Sequence, residues 1–348
     1  MTYRRLFALA TTIGITLFGA ACSSSGGAAS GGSITLLTHD SFATTDGIFA
    51  EFEQANNVKV AVVKGQDAGV VVNQAILTKG KPEGDVLWGV DNTLLSRVQK
   101  AKVFAPYSSP ALGDLDPALT TFVPAGHEAT PVDRGDVCVN LAKASFEGKS
   151  LQPPASFEDL ADPKYKDQLV VENPATSSPG LAFLLATRAQ FGDKWLEYWK
   201  KLKANGVKIA DGWTTAYTVD FAGSSGKGPR SLVVSYGTSP AAELGDSGRS
   251  ATTAIASTCF AQVEYVGVLA GTKRTAMARK LVDFLLSKKF QEDMPENMYV
   301  FPARKDAAVP AAFDTFGIRP PKPLSLPAAD IDANREAWIA AWSALMLS

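Results

Sequence analysis

Six short segments hold most of the residues that could do chemistry: THDSF (38–42), KGQDAG (64–69), GVDN (89–92), ATSSPG (175–180), DGW (211–213) and SYGTSP (235–240). They supply carboxylates, ring faces, hydroxyls and backbone N–H groups near turns. No nucleophile stands beside a base in any of them. The chain has two histidines, His39 and His127, and lacks the H-E-x-x-H, C-x-x-C and G-x-S-x-G patterns. GSSGKGP (223–229) has a phosphate-loop look, but its spacing is wrong and Gly228 stands where a Ser or Thr would hold magnesium. It reads as a turn. The expectation is therefore no catalytic residue, no cofactor and no metal. The residue mixture suits the non-covalent holding of a flat, polar molecule, cations included.

Each segment ends an apolar run that reads as a strand. The strands fall at 33–39, 58–65, 84–90, 168–174, 207–212 and 231–236, and helical patterns lie between them at 46–55, 69–80, 91–102, 156–162, 177–192, 193–206 and 214–223. Strand–helix–strand alternation means parallel sheets covered by helices. In such sheets ligands sit at the carboxyl ends of the strands. Two further extended stretches, near 129–140 and 255–268, look like crossovers between two α/β lobes. The first lobe is expected at 33–130 plus about 262–304, and the second at 131–261. A helix is expected over 275–294 and another over 332–347, with the 305–348 segment assigned to neither lobe. Trp195 and Trp199, like Trp338 and Trp342, are spaced i to i+4 and read as packing residues.

The 348 residues carry 34 Lys plus Arg against 35 Asp plus Glu, a balance that offers no basic stripe for nucleic acid. The N-terminus has the form of an export signal over 1–21, with Arg4 and Arg5 before an apolar run too short to span a membrane. It ends at Cys22 before a Ser/Gly-rich tether (22–32). This resembles a bacterial lipoprotein signal, with Gly19 where leucine is usual, and the Arg pair also resembles a twin-arginine signal. Cys22 is the expected lipidation site, and the anchor places the protein on the outer face of the cytoplasmic membrane. That leaves Cys138 and Cys259, in extended segments of an exported chain, as the expected disulfide.

The pieces DSFA, DVLWGVDNTLL, ATSSPGL, GWTTAY, VVSYGTSPA and REAWIAAW resemble the thiamine-binding proteins of bacterial ABC importers, in the type II periplasmic binding superfamily. The resemblance runs over nearly the whole chain after the leader. It implies a two-lobed flytrap that captures thiamine or a thiamine phosphate and delivers it to a membrane permease, without catalysis. The protein would be a monomer, touching the membrane only through its lipid. Carried over by position, the ligand contacts fall on Asp67 and Ala68, on Ser177 and Ser178, on Trp213, and on Tyr236, Gly237, Thr238 and Ser239. His39, Asp40, Asp91 and Tyr299 form a second set of candidates. His39 and Asp46 stand where well-known members carry aromatics, Ala242 replaces a tyrosine, and Tyr299 stands for a tryptophan. Several of these residues also have plain structural readings: Ser177 and Ser178 as helix caps, Asp40 and Asp91 as caps, Asp67 as a turn residue, and Trp213 as core. The alternative solute on the same fold is a polyamine or ferric ion, although SYGT offers iron a single tyrosine.

Overall fold

Apolar runs bounded by turn residues become the strands of two sheets in the computed structural model, which describes residues 32–223 and 227–348. The expected leader, Cys22 and the middle of the GSSGKGP turn lie outside the described residues. In chain order the strands are β1 (Ser33–Thr38), β2 (Lys59–Lys64), β3 (Val86–Asp91), β4 (Phe104–Ala105), β5 (Thr130–Arg134) and β6 (Val137–Ala142). They continue as β7 (Leu169–Glu172), β8 (Lys208–Ala210), β9 (Leu232–Tyr236), β10 (Thr252–Phe260), β11 (Val263–Leu269) and β12 (Phe301–Pro302). The first sheet runs β12-β5-β11-β3-β1-β2, with β4 also on β11, and the second runs β10-β6-β9-β7-β8.

The parallel core of the first sheet is β2-β1-β3, with Ser33 opposite Lys59 and Leu36 opposite Val86. That of the second is β8-β7-β9. β11 runs antiparallel to β3 and β5, and β6 antiparallel to β9 and β10. Helices cover the sheets, so β3 and β7 are buried along their whole length. A strand covered on both faces reads as a continuous apolar run.

The chain passes between the sheets twice, through Gly135–Asp136 from β5 to β6 and through Ala261–Gln262 from β10 to β11. Gly135 N donates to Gln262 O at 3.3 Å, so the two connections lie side by side. A Cβ on Gly135 would stand 2.9 Å from the Tyr236 ring and from Val300, so glycine is needed for this close approach. Cys138 and Cys259 flank the crossing and are joined by a disulfide, their Cα atoms 4.1 Å apart across 121 residues of sequence.

The helix at Ala68–Leu77 forms despite its three valines, because Asp67 caps it and Val71, Val72 and Ala75 fall on the buried face. Two helical expectations are corrected. The 275–294 pattern is two helices, Thr275–Leu285 and Lys288–Met298, and Ser287 between them caps the second by accepting from Phe290 N at 3.4 Å. The 214–223 pattern becomes one α-turn at Trp213–Thr215 followed by a wider π-turn at Ala216–Asp220. The closing helix, Ala328–Met346, packs Trp342 edge-on against Trp199 with 5.4 Å between ring centres. From the same helix Arg335 Nη1 donates to Thr93 O at 2.9 Å, just after β3. The C-terminal segment thus touches elements of both sheets. Trp195, Trp199 and Trp342 are buried packing residues, and Trp338 is partly buried, with the Arg188 guanidinium 4.9 Å from its ring centre.

Candidate functional site

A cavity of about 250 Å³ opens where the strand ends of the two sheets face each other. From the first sheet's side come His39, Asp40 and Ser41, which follow β1, and Glu264 of β11. Asn297, Met298 and Tyr299 close the same side. The second sheet's side supplies Trp213, Thr214, Tyr217, Thr218 and Tyr236. A narrow recess continues from it, bounded by Asp67, Ala68, Ser178 and Pro179.

Four rings build one wall. Trp213 stacks on Tyr217 with centroids 4.8 Å apart and planes 14° from parallel. Tyr236 and Tyr299 stand at 6.2 and 6.4 Å from the same indole, tilted and edge-on. The indole is held at its polar edge, where Nε1 donates to Ser235 Oγ at 2.9 Å, and Ser235 Oγ bonds Ser239 Oγ at 2.8 Å. Tyr299 takes its place because it ends the helix Lys288–Met298 in the left-handed conformation, with φ +59°.

Acids form the floor. Asp67 Oδ1 accepts from Ala68 N at 2.7 Å and Ser178 N at 3.1 Å, while Oδ2 accepts from Trp213 N at 2.9 Å. One carboxylate from the first sheet's side therefore ties down a helix start and a loop on the second sheet's side. Burial raises its pKa, against the pull of those donors and of His39. Asp91 Oδ1 accepts from Thr93 N, Thr93 Oγ1 and Leu94 N at 2.6–3.0 Å, and Ser178 Oγ donates to its other oxygen. Burial pushes its pKa up to about 6. Glu264 accepts from Trp88 Nε1 at 3.3 Å and lies 3.8 Å from His39 Nε2. Burial works to lower the His39 pKa, but the neighbouring Glu264 carboxylate and the charges of Asp67 and Asp40 outweigh it, and the pKa is raised. Among the described residues, His39 is the basic side chain within ion-pair distance of this floor, and no Lys or Arg pairs with Asp67, Asp91, Asp133 or Glu264.

Of the residues singled out in the sequence, His39, Asp40, Trp213, Tyr236 and Tyr299 line the cavity, and Asp67, Ala68 and Ser178 line the recess. The others lie outside both and make internal bonds. Ser177 caps the helix Ser178–Phe191 by accepting from Gly180 N at 3.3 Å. Gly237 N donates to Asp136 O at 2.8 Å, Thr238 Oγ1 donates to Tyr299 O, and Ser239 Oγ accepts from Tyr236 N at 3.2 Å. Asp91 caps its own turn, as its plain reading has it. Sequence reasoning missed Glu264 and Tyr217. The available signal for Glu264 was a lone carboxylate in the apolar run QVEYVGVL.

Two α/β sheets joined by two adjacent crossovers, with a solute-sized cleft at their strand ends, define the type II periplasmic binding fold. The family model described as bacterial extracellular solute-binding protein matches residues 82–316, and the chain belongs to that family. It is similar to the thiamine-binding periplasmic protein of Salmonella typhimurium, 30% identical over 318 residues, covering 89% of this chain and 92% of that one. A solved periplasmic thiamin binding protein superposes with a TM-score of 0.78 at 27% identity, covering 90% of this chain and 96% of that one. The iron-bound HitA of Pseudomonas aeruginosa, at 21% identity and a TM-score of 0.69, covers 90% of this chain and 99% of its own and shares the fold. The family's members bind and transport solutes and are not enzymes.

Proposed function

We propose that this protein captures thiamine, or one of its phosphate esters, outside the cytoplasm and delivers it to an ABC import permease. The observation that carries the reading is a wall of four rings facing buried acids that no Lys or Arg among the described residues neutralises. Thiamine has two flat aromatic rings joined by a methylene, one of them a thiazolium with a permanent positive charge. Ring faces attract such a cation by about 0.5–2 kcal/mol each when well placed, and the negative floor adds a further attraction in a site that excludes water. The names of the relatives point to the same solute. The acids disfavour a phosphate near the floor, so an ester would direct its phosphate toward the mouth of the cavity. Ligand contact falls in this reading to His39, Asp40, Trp213, Tyr217, Tyr236, Tyr299 and Glu264, with Asp67 holding the two sides of the cleft together. Acylation of Cys22 would keep the protein near its permease.

Calorimetric titration with thiamine, thiamine monophosphate and spermidine tests the solute. One-to-one binding of thiamine is expected. Heat with spermidine alone refutes the thiamine reading and makes the protein a polyamine binder on the same fold. Among the described residues no group of three or more His, Cys, Asp or Glu is placed to hold a metal ion.

A further inference from the structure

Ring stacking leaves one part of the floor unexplained. Glu264 of β11 lies directly opposite Asp133 of β5, and the two residues are 4% and 0% exposed. Among the described residues, neither carboxylate oxygen of Asp133 has a hydrogen-bond partner outside this pair. Two acids facing each other in a buried site do not both ionise. Burial, then the Glu264 charge, raises the Asp133 pKa well above the carboxylate range, which favours one negative charge on the pair over two.

His39 answers that charge. Its Nδ1 bonds Ser41 Oγ at 2.8 Å, a serine–imidazole contact that corrects the expectation of no such pair in THDSF, and its Nε2 faces Glu264 Oε2 at 3.8 Å, with no hydrogen-bond partner of its own among the described residues. The residue is 5% exposed and lines the cavity, with Nε2 buried at its back between Glu264 and Gly89 of β3. The titratable groups around it come from four sides: Asp40 beside it, Glu264 with Asp133 behind on the β11–β5 pair, Asp67 at the helix start, and Tyr236 at the end of β9. Asp91, at the end of β3, is near enough for the Glu264 charge to help burial raise its pKa. With no Lys or Arg among these groups, an imidazolium at His39 is the counter-charge of the empty floor.

A permanent cation seated over Glu264 takes over that role and stands beside the imidazolium as a like charge. We propose that a cationic solute binds this protein in exchange for a proton: the N–H bond at His39 Nε2 breaks, the proton passes to water, and the charge of the site is conserved. The proposal rests on the reading of the solute as a cation. Its sign follows from linkage. His39 has a higher pKa in the empty protein than in the complex, so affinity is constant above the empty-state pKa. It falls as pH drops through that value, by up to about tenfold per pH unit for one proton.

Calorimetry with thiamine near pH 7, in phosphate and in Tris, reads the proton directly. The two buffers differ in ionisation enthalpy, and the apparent binding enthalpies should differ in the sense of proton release on binding. In His39→Phe the buffer difference should vanish and the pH slope of Kd should flatten. Proton NMR of the empty protein, which has two histidines to assign, gives a second measurement that needs no variant and no solute. There His39 should titrate above the ordinary imidazole range, and Glu264→Gln should lower its pKa. Thiamine binding with equal enthalpies in both buffers overturns the exchange and leaves the solute reading intact. A His39 that stays neutral in the empty protein from pH 5 to 8 also overturns it. No heat with thiamine in either buffer refutes the solute reading, and the exchange falls with it.

Discussion

Trp213→Ala separates a binding residue from a core residue at the centre of the cleft. The indole is partly exposed, with one face against Tyr217 at 4.8 Å and its Nε1 on Ser235. A stacked cation lost from one ring weakens binding by about 0.5–2 kcal/mol, a rise in Kd of roughly 2- to 30-fold. The protein itself loses its stack on Tyr217, worth about 0.5–1.5 kcal/mol, weaker contacts with the more distant Tyr236 and Tyr299 rings, and one side-chain hydrogen bond of about 0.5–1.5 kcal/mol. The expected stability loss is therefore about 1–3 kcal/mol, below the 3–5 kcal/mol or so of a fully buried tryptophan. Urea unfolding of the empty protein and calorimetric titration of the same variant give both numbers. Trp213→Phe keeps a ring face and gives up the bond to Ser235, so it should bind more tightly than Trp213→Ala. Unchanged affinity together with a stability loss of about 4 kcal/mol or more would make Trp213 a core residue and remove the main ring of the proposed site.

Asp91→Asn can keep the three bonds to Oδ1 and turn Ser178 Oγ into an acceptor. Because the folded pKa is raised to about 6, the wild-type carboxyl loses stability as pH rises from 4 to 6, so the variant should gain up to about 3 kcal/mol at pH 7 and almost nothing at pH 4. Urea midpoints that shift equally at both pH values would show that ionisation of Asp91 is not what burial opposes. Replacing Cys138 and Cys259 by serine opens a loop of 121 residues and should lower stability by up to about 4–5 kcal/mol. An unchanged melting temperature in the double variant would contradict that loop-entropy expectation. Cys22→Ala should release the protein from membranes, since the anchor needs at least two acyl chains for stable attachment. Recovery of wild-type protein in the soluble fraction with an unmodified Cys22 thiol would end the lipoprotein reading.

The strand ends were legible because parallel strands buried on both faces stand out as apolar runs, and polar residues right after them have few other uses. Trp213 followed Gly212 at such an end, and the cleft is where it lies. The acid pair was not legible. Glu264 and Asp133 are 131 positions apart, and only the antiparallel pairing of β11 with β5 brings them together. Gly237, Thr238 and Ser239 show the reverse limit. Their types suit a ligand, but Asp136, Ile318 and Tyr299, far along the chain, take the hydrogen bonds of Gly237 and Thr238, and Ser235 and Tyr236 take those of Ser239. The break at Ser287 lay in the sequence as a capping serine inside a helical period, and the period alone hid it.

The closing helix has a mechanical meaning. Trp342 is seated on the helix Trp195–Ala204, and Arg335 is bonded to the chain just beyond β3. Arg335 is 4% exposed, so its guanidinium has little water to turn to when that bond breaks. Any swing that parts the two sheets must strip one of these footholds or bend the helix between them. The tail thus ties the two sheets together in parallel with the two covalent crossovers. Such a tie bears on how far the sheets can part, although no residue of the helix lines the cavity. A cut before Ala328 would soften the trap without touching a residue of the cleft.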